Sequence, residues 1–240
     1  MTAAIGWFKD SLFTPEGARC AGRLRRIPLT LPGEPERCGA AIDAEAVARR
    51  FRRPDADIHK YQKGSVLLLG GSVAYPHAPF LSGRAALRAG AGMVRLLTPA
   101  GVAFPGSAPL ALIVNTLSGN HGFFSGRDLD ELSAYTAKVD VVAAGPGLGR
   151  HEGVRDFLAG IVKLPLPLVL DADALYFAAE MADAIRARTA PTVLTPHAGE
   201  AALLGAGAGV SSDRDDPVAD AQSLADAYAA CIVRKGCHSV

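Results

Sequence analysis

Residues 59–99 read HKYQKGSVLLLGGSVAYPHAPFLSGRAALRAGAGMVRLLTP, and this stretch decides the fold. Val66, Leu67, Leu68 and Leu69 form an unbroken apolar run, the pattern of a strand covered on both faces. Gly70, Gly71 and Ser72 follow at once, a turn in which backbone can approach a ligand closely. A helix is predicted next, with Ala78, Leu81, Ala85 and Ala89 stacked along one face. Gly90 and Gly92 end it, and Met93 to Leu97 reads as the following strand. The unit is therefore βαβ, with a glycine loop at a helix N-terminus, a placement suited to phosphate.

Working outward, strands and helices keep alternating. Further strands are expected over Leu110–Val114, Val139–Ala143, Leu166–Leu170, Thr192–Leu194 and Cys231–Arg234. Between them, Val154, Leu158, Ile161 and Val162 share one helical face, and Leu175, Ala178, Ala182 and Ile185 share another. Val218, Ala221, Ala225 and Tyr228 make a third, with Asp216 as N-cap and Pro217 at the first helical position. This alternation predicts an α/β domain, a mostly parallel sheet with helices on both sides. Gly205–Gly209, GAGAG, reads as a flexible connector. Before the domain, residues 1–40 are rich in proline and glycine, with one short apolar run, Ile27 to Leu31, expected to be a strand. A short helix is predicted over Asp43–Phe51, with Val47 and Phe51 one turn apart and Pro54 stopping it. The segment Thr116–Arg127, TLSGNHGFFSGR, reads as a loop without an assigned role, its His121 solvent-exposed.

Composition narrows the class. The 240 residues suffice for one full α/β core, and 49% hydrophobic with 20% charged residues is ordinary for a globular domain. A net charge of +1, with no basic patch interleaved with aromatics, argues against a nucleic-acid partner. The densest basic run, Arg49, Arg50, Arg52 and Arg53, reads as a solvated helix end. No apolar run approaches the ~18 residues needed to span a bilayer, and Lys9 and Asp10 stand where a signal peptide needs an apolar core. Cys20, Cys38, Cys231 and Cys237 lack metal or disulfide spacing, so reduced thiols in a cytoplasmic setting and no metal site are expected.

In a doubly wound sheet, ligands bind beyond the carboxyl ends of the strands. There the sequence places Gly70–Ser72, Gly145–Gly149 (GPGLG), Asp171 and Asp173 (LDAD), Thr195-Pro196-His197, and Lys235-Gly236. Five such strand ends argue for one shared cleft. GPGLG lacks the GxGxxG spacing and its ribose-reading acid, which removes a hydride-transfer Rossmann site, and no Walker lysine motif is present. By itself a Gly-Pro-Gly loop is more often a plain turn. Asp171 and Asp173 would share a face on a strand end, or one of them, above all Asp173, would cap the helix through Leu175. His197, between Pro196 and the Ala198-Gly199-Glu200 turn, has few structural duties in view and is a ligand candidate. Lys235 is either a partner for nucleotide phosphate or a solvated lysine.

Six pieces, HKYQKGSVLLLGGS, APFLSGRAALRAGAGMV, AAGPGLG, PLVLDADAL, TVLTPHAGE and CIVRKGCHS, in this order over about residues 55–240, resemble the ADP/ATP-dependent NAD(P)H-hydrate dehydratase family of the ribokinase-like superfamily. The resemblance implies a three-layer α/β/α sandwich. It implies repair of NADH or NADPH that has taken up water on the nicotinamide ring: a nucleotide phosphorylates the added hydroxyl, and phosphate then leaves with a ring proton. Hydroxide is a poor leaving group, so its conversion to phosphate lowers the elimination barrier, and the transfer needs mostly positioning and charge neutralisation. By resemblance, Ala78, Gly147 and His197 line the hydrated-dinucleotide side, while Lys235, Gly236, Cys237, His238 and Ser239 contact the adenine nucleotide, ADP or ATP with Mg2+. The loop after the first core strand thus faces the dinucleotide and not the nucleotide phosphates.

The resemblance also reads residues 1–40, through LFTPEGARCAGRLRRIPLTLP, as the tail of an epimerase domain fused ahead of a dehydratase domain at 41–240. It implies a homo-oligomer. Tyr61, His77, Ala174, Tyr176 and Ala198 depart from the family pattern. The family's Gly-x-Gly-Asp motif, which follows KGxxS and carries the proton-abstracting acid, has no counterpart in this sequence. A domain incomplete at its C-terminus, with the catalytic residue unassigned and phosphoryl transfer severely impaired, is the resulting expectation. The alternatives are a ribokinase-like kinase for a small alcohol and a non-catalytic nucleotide-binding fragment.

Overall fold

The structure is a computed structural model describing residues 1–5, 7–29, 39–42, 44–50, 57–102, 111–119, 122–212 and 215–240, with Tyr61 described by its backbone only. Leu31, Pro32, Cys38, Asp43, Phe51, Arg52, Arg53, Pro54, Leu110 and His121, which entered the expectations above, lie outside the described residues.

The N-terminal segment is a small βαβ unit of its own. Strand β1 (Thr2–Ile5) pairs in parallel with β2 (Leu24–Ile27) across helix α1 (Pro15–Ala21). Thr14 caps α1 by accepting from Gly17 N at 3.1 Å, with Pro15 at the first helical position. The strand expected to begin at Ile27 instead ends there, because Pro28 has no N–H to continue a ladder. Helix α2 (Ala44–Arg50) follows, and Arg49 reaches Glu45 one turn back.

Among the described residues the main sheet has seven strands, all parallel: β3 (Ser65–Leu69), β4 (Met93–Thr98), β5 (Leu112–Thr116), β6 (Val141–Ala144), β7 (Leu168–Leu170), β8 (Thr192–Leu194) and β9 (Cys231–Ile232), in the order β5-β4-β3-β6-β7-β8-β9. Every expected strand of the main sheet is present, with late starts at β5, β6 and β7, of which the last two have local causes. At β6, the Asp140 carboxylate accepts from both Ser65 N and Ser65 Oγ at 2.7 Å, so residue 140 serves as a side-chain clamp at the strand entry. At β7, Pro167 cannot donate to the ladder.

Register matters more than length here. Leu69, Ala144, Leu170, Leu194 and Ile232 pair in one row across five strands. The residues that follow, Gly145, Asp171, Thr195 and Val233, each donate from N–H to the carbonyl ending the neighbouring strand, at 2.8–3.2 Å. The motif residues are thus aligned along one edge of the sheet.

Helices α3 (Ala78–Ala89), α4 (Leu129–Thr136), α5 (Glu152–Val162), α6 (Asp173–Ala178), α7 (Ala182–Arg186), α8 (Ala198–Ala208) and α9 (Pro217–Tyr228) complete the domain. Strand alternation divides the core between the two faces of the sheet. Leu67 and Leu69 pack with Phe157, Leu158, Ile161, Leu175 and Leu204 on one side. Leu68, Val94, Leu96 and Leu112 pack with Phe80 on the other. Among the described residues no helix is long and apolar enough to cross a membrane.

Three expectations are corrected. In α3 the buried residues are Pro79, Phe80 and Gly83, while Leu81 is 73% exposed and Ala85 and Ala89 face solvent. A Cβ on Gly83 would stand 2.8 Å from Leu112 Cδ1, so glycine there lets the helix close on β5 and selects the register one residue away from the predicted stripe. Gly205 and Gly207 are helical and not connector residues, and only Gly209 leaves the helix, as a left-handed cap at φ 69°. Gly207 is a packing residue: a Cβ there would lie 2.0 Å from the Ala179 carbonyl oxygen. In α9, Asp216 and Pro217 open the helix as expected, but Val218 is exposed and Asp220, Leu224 and Ala227 join Ala221 and Tyr228 in the buried face. The Tyr228 hydroxyl donates to Leu204 O at 2.9 Å, and burial pushes its pKa up to about 12.

Candidate functional site

The site is built on the row of strand ends. The loop after β3 and the loop after β6 are tied together, Gly71 N donating to Pro146 O at 2.9 Å. Gly71, Gly145, Gly147 and Gly149 all have positive φ, between 73° and 138°, which explains why these turns are glycine. At Gly147 the crowding is explicit: a Cβ would sit 2.6 Å from Tyr75 O and 3.2 Å from the Ala78 Cβ. Ala78 at the start of α3 and Gly147 are therefore neighbours, and the structure brings these two expected site residues together. Ser72 beside them is buried, and its Oγ accepts from Tyr75 N at 3.3 Å. The 116–127 segment, without an assigned role in the sequence, reaches this cluster through Gly122, whose carbonyl accepts from Val73 N at 2.9 Å.

A second cluster forms at the ends of β7, β8 and β9. Lys235 Nζ lies 2.6 Å from Asp171 Oδ1 and 3.6 Å from Glu200 Oε2. The backbone N–H of Lys235 donates to Pro196 O at 2.8 Å, so the ladder between β8 and this segment runs on past Ile232. Burial works to raise the Asp171 carboxyl, but hydrogen bonds from Lys235, Thr195 and Ala172 N–H, with the lysine charge, outweigh it and leave the pKa below the usual carboxylate range. Lys235 is thus engaged by the protein while its side chain stays 39% exposed.

His197 has a structural duty that the sequence reading missed. It is the N-cap of α8, its Nδ1 accepting from Gly199 N at 2.9 Å and Glu200 N at 3.3 Å. Glu200 returns the contact, Oε2 accepting from His197 N at 2.8 Å. The signal was present, since Glu three residues after a cap is the capping-box spacing, but histidine is not a usual cap residue. Through Glu200, His197 belongs to the Lys235 cluster. In the segment that follows Lys235, Gly236, Cys237 and Ser239 are exposed, while His238 meets the Phe13 ring edge-on at 5.4 Å between centroids.

The LDAD turn joins the two clusters. Ala172 adopts φ 51°, ψ −125°, a strained conformation for a residue with a Cβ. Asp171 and Asp173 consequently diverge and do not share a face. Asp171 turns to Lys235, and Asp173 Oδ2 accepts from Gly149 N at 2.9 Å in the glycine-loop cluster. The helix-capping role considered for Asp173 is not what it does: α6 begins at Asp173, with Ala172 at the cap position and no side-chain cap. Arg150, beyond reach of the sequence reading, lies 3.6 Å from Asp173 and stacks over Tyr176 at 4.6 Å. Among the described residues no group of three His, Cys, Asp or Glu side chains is placed to hold a metal ion.

A family model described as NAD(P)H-hydrate dehydratase matches residues 66–240. The bifunctional NAD(P)H-hydrate repair enzyme Nnr of Salinibacter ruber is 33% identical over 258 residues, an alignment covering 100% of this chain. The chain spans 46% of that enzyme's length. Among solved structures, the ADP/ATP-dependent NAD(P)H-hydrate dehydratase from Bacillus subtilis, co-crystallized with ATP and Mg2+, matches at 25% identity, with a TM-score of 0.58 over 81% of this chain and 66% of that one. A ribokinase-like superfamily protein from Enterococcus faecalis shares the fold at 22% identity, with a TM-score of 0.62 over 78% of this chain and 62% of that one.

Proposed function

The chain belongs to the NAD(P)H-hydrate dehydratase family, and from that premise we propose that it takes part in nicotinamide cofactor repair, restoring NADH and NADPH from their hydrated forms. The observation that carries the proposal is the pairing of two chemically different clusters along one row of strand ends. On one side, Ala78 and Gly147 present backbone and small side chains, with Gly149 fixed by Asp173. On the other, Lys235 presents an ammonium beside Asp171, with His197 and Glu200 below it.

The first cluster is assigned to the hydrated dinucleotide, because glycine turns admit a large planar ligand close to backbone amides. The second is assigned to the adenine nucleotide, with Lys235 as a point charge for phosphate and Gly236, Cys237, His238 and Ser239 along its path. These residues fit ADP or ATP, and Mg2+ would be held mainly through phosphate oxygens and water, as its chemistry favours, without a protein cage. When bound, the nucleotide supplies the phosphoryl group that turns the ring hydroxyl into a leaving group. The chain's own work is to hold the hydroxyl against the donor, neutralise charge through Lys235 and exclude water. His197, whose side chain is 60% exposed, is proposed to line the ligand while Nδ1 serves the cap and Nε2 lies 3.4 Å from Glu200 Oε1.

Exposed free thiols at Cys20, Cys231 and Cys237 support a reducing, cytoplasmic setting. Exposed Val73, Tyr75 and Leu81 near Ala78 support association of copies into a homo-oligomer. Residues 1–40, whose described elements form a βαβ unit from Thr2 to Ile27 outside the matched 66–240 region, are assigned to a preceding epimerase-type unit.

The test is turnover. The protein is incubated with hydrated NADH and Mg2+ with ADP or ATP, and recovery of the reduced-nicotinamide absorbance is followed. Nucleotide-dependent recovery is expected, at a rate lowered by the lack of a Gly-x-Gly-Asp acid in this sequence. Phosphorylation of a small alcohol, with hydrated NADH left untouched, would overturn the proposal in favour of a kinase.

A further inference from the structure

Arg234 and Asp220 form an ion pair at 2.6 Å whose side chains are 5% and 0% exposed. Asp220 Oδ1 also accepts from Ser212 Oγ at 2.7 Å. Burying such a pair is costly, and apolar side chains of similar volume often serve stability as well or better. The placement therefore asks for another reason, and the guanidinium provides one: its Nη1 donates to the carbonyl of Lys235 at 2.9 Å. In extended backbone, residues 234 and 235 point to opposite faces, so Arg234 enters the packed side beneath α9 while Lys235 enters the cleft. Lys235 is then held at every polar group. Its N–H is on Pro196 O, its C=O is on Arg234, and its ammonium is on Asp171.

We propose that Arg234 and Asp220 are positioning residues, a buried clamp that locks the peptide after Lys235 and keeps its ammonium aimed at the Asp171 side of the cleft. The link to nucleotide binding rests on the assignment of Lys235 to the nucleotide; the clamp itself does not. Arginine is required because a lysine at 234 retains a charge for Asp220 but has no second arm to reach the Lys235 carbonyl.

The experiment uses Arg234→Lys and, as a stability-matched partner, the double variant Asp220→Leu with Arg234→Met. Three readouts are taken: amide hydrogen exchange at Lys235, whose N–H donates to Pro196 O, NMR titration of the Asp171 carboxyl, and calorimetric binding of Mg·ADP. Removing a hydrogen bond that involves a charged group should speed Lys235 exchange and weaken Mg·ADP by about tenfold. The Asp171 midpoint should move up towards the ordinary carboxylate value, while melting temperature stays close to wild type in at least one of the two variants. A folded variant with wild-type Lys235 exchange and wild-type Asp171 titration would overturn the clamp. If the wild-type protein fails to bind Mg·ADP, the nucleotide assignment falls, and exchange and titration still decide the clamp.

Discussion

Lys235 Nζ lies 2.6 Å from Asp171 Oδ1, although 64 residues separate them in the chain, and each side chain remains more than a third exposed. The pair joins the ends of β7 and β9 across β8. At this exposure it is worth about 0–1 kcal/mol, so its meaning is geometric before it is energetic. Under the proposed nucleotide assignment, a phosphate arriving at Lys235 would meet an ammonium already oriented and share it with a carboxylate.

The acid dependence of stability follows from that pair. The folded Asp171 pKa is depressed, so the unfolded chain binds the extra proton first as pH falls. The contribution of Asp171 is complete above its unfolded pKa of about 3.9 and is lost as pH drops through the lower folded value. The stability difference between wild type and Asp171→Asn should be flat from neutrality to about pH 5 and then shrink. Denaturant midpoints measured across that range check this, and a difference that widens on acidification would contradict it.

His197 separates two roles by chemistry. Replacing it with alanine removes the acceptor for Gly199 N and Glu200 N and should cost about 1 kcal/mol. Asparagine can still cap, so His197→Asn should unfold near the wild-type midpoint while losing affinity for hydrated NADH. Wild-type ligand affinity in His197→Asn would leave His197 as a cap alone.

Gly207 is a packing test. With the Ala179 carbonyl oxygen 2.0 Å from where a Cβ would be, Gly207→Ala should push α8 off its neighbour and cost about 1–3 kcal/mol. Gly209→Asn, at a left-handed cap, should be nearly neutral. Equal midpoints for the two variants by urea denaturation would be inconsistent with this packing.

Much of the fold and the edge on which the site sits were legible in the sequence, because apolar runs ending in Gly, Asp, His or Lys mark strand ends whatever their order in the sheet. Local capping was legible too where the residue types are usual, as at Asp216 and Pro217. The α3 face was not, since small and apolar residues satisfy helical spacing in two adjacent registers, and only the approach of Gly83 to Leu112 chooses between them. The LDAD turn misled for a similar reason. Residues 171 and 173 share a face only if the backbone stays extended, and Ala172 leaves that region. The partners of Lys235 and Arg234 depend on which strands lie side by side, which spacing along the chain does not encode.

The central claim is that one row of strand ends carries two separate ligand sides, and calorimetry with two ligands tests it most directly. Hydrated NADH and Mg·ADP are titrated singly and together into wild type, Gly147→Ala and Lys235→Ala. The wild-type protein should bind both at once. Gly147→Ala, whose Cβ would crowd Tyr75 O at 2.6 Å, should lose hydrated NADH and keep Mg·ADP. Lys235→Ala should do the reverse, weakening Mg·ADP by about tenfold or more through loss of a charge-assisted contact. Mutual displacement of the two ligands, or variants that weaken both equally, would contradict a two-sided site.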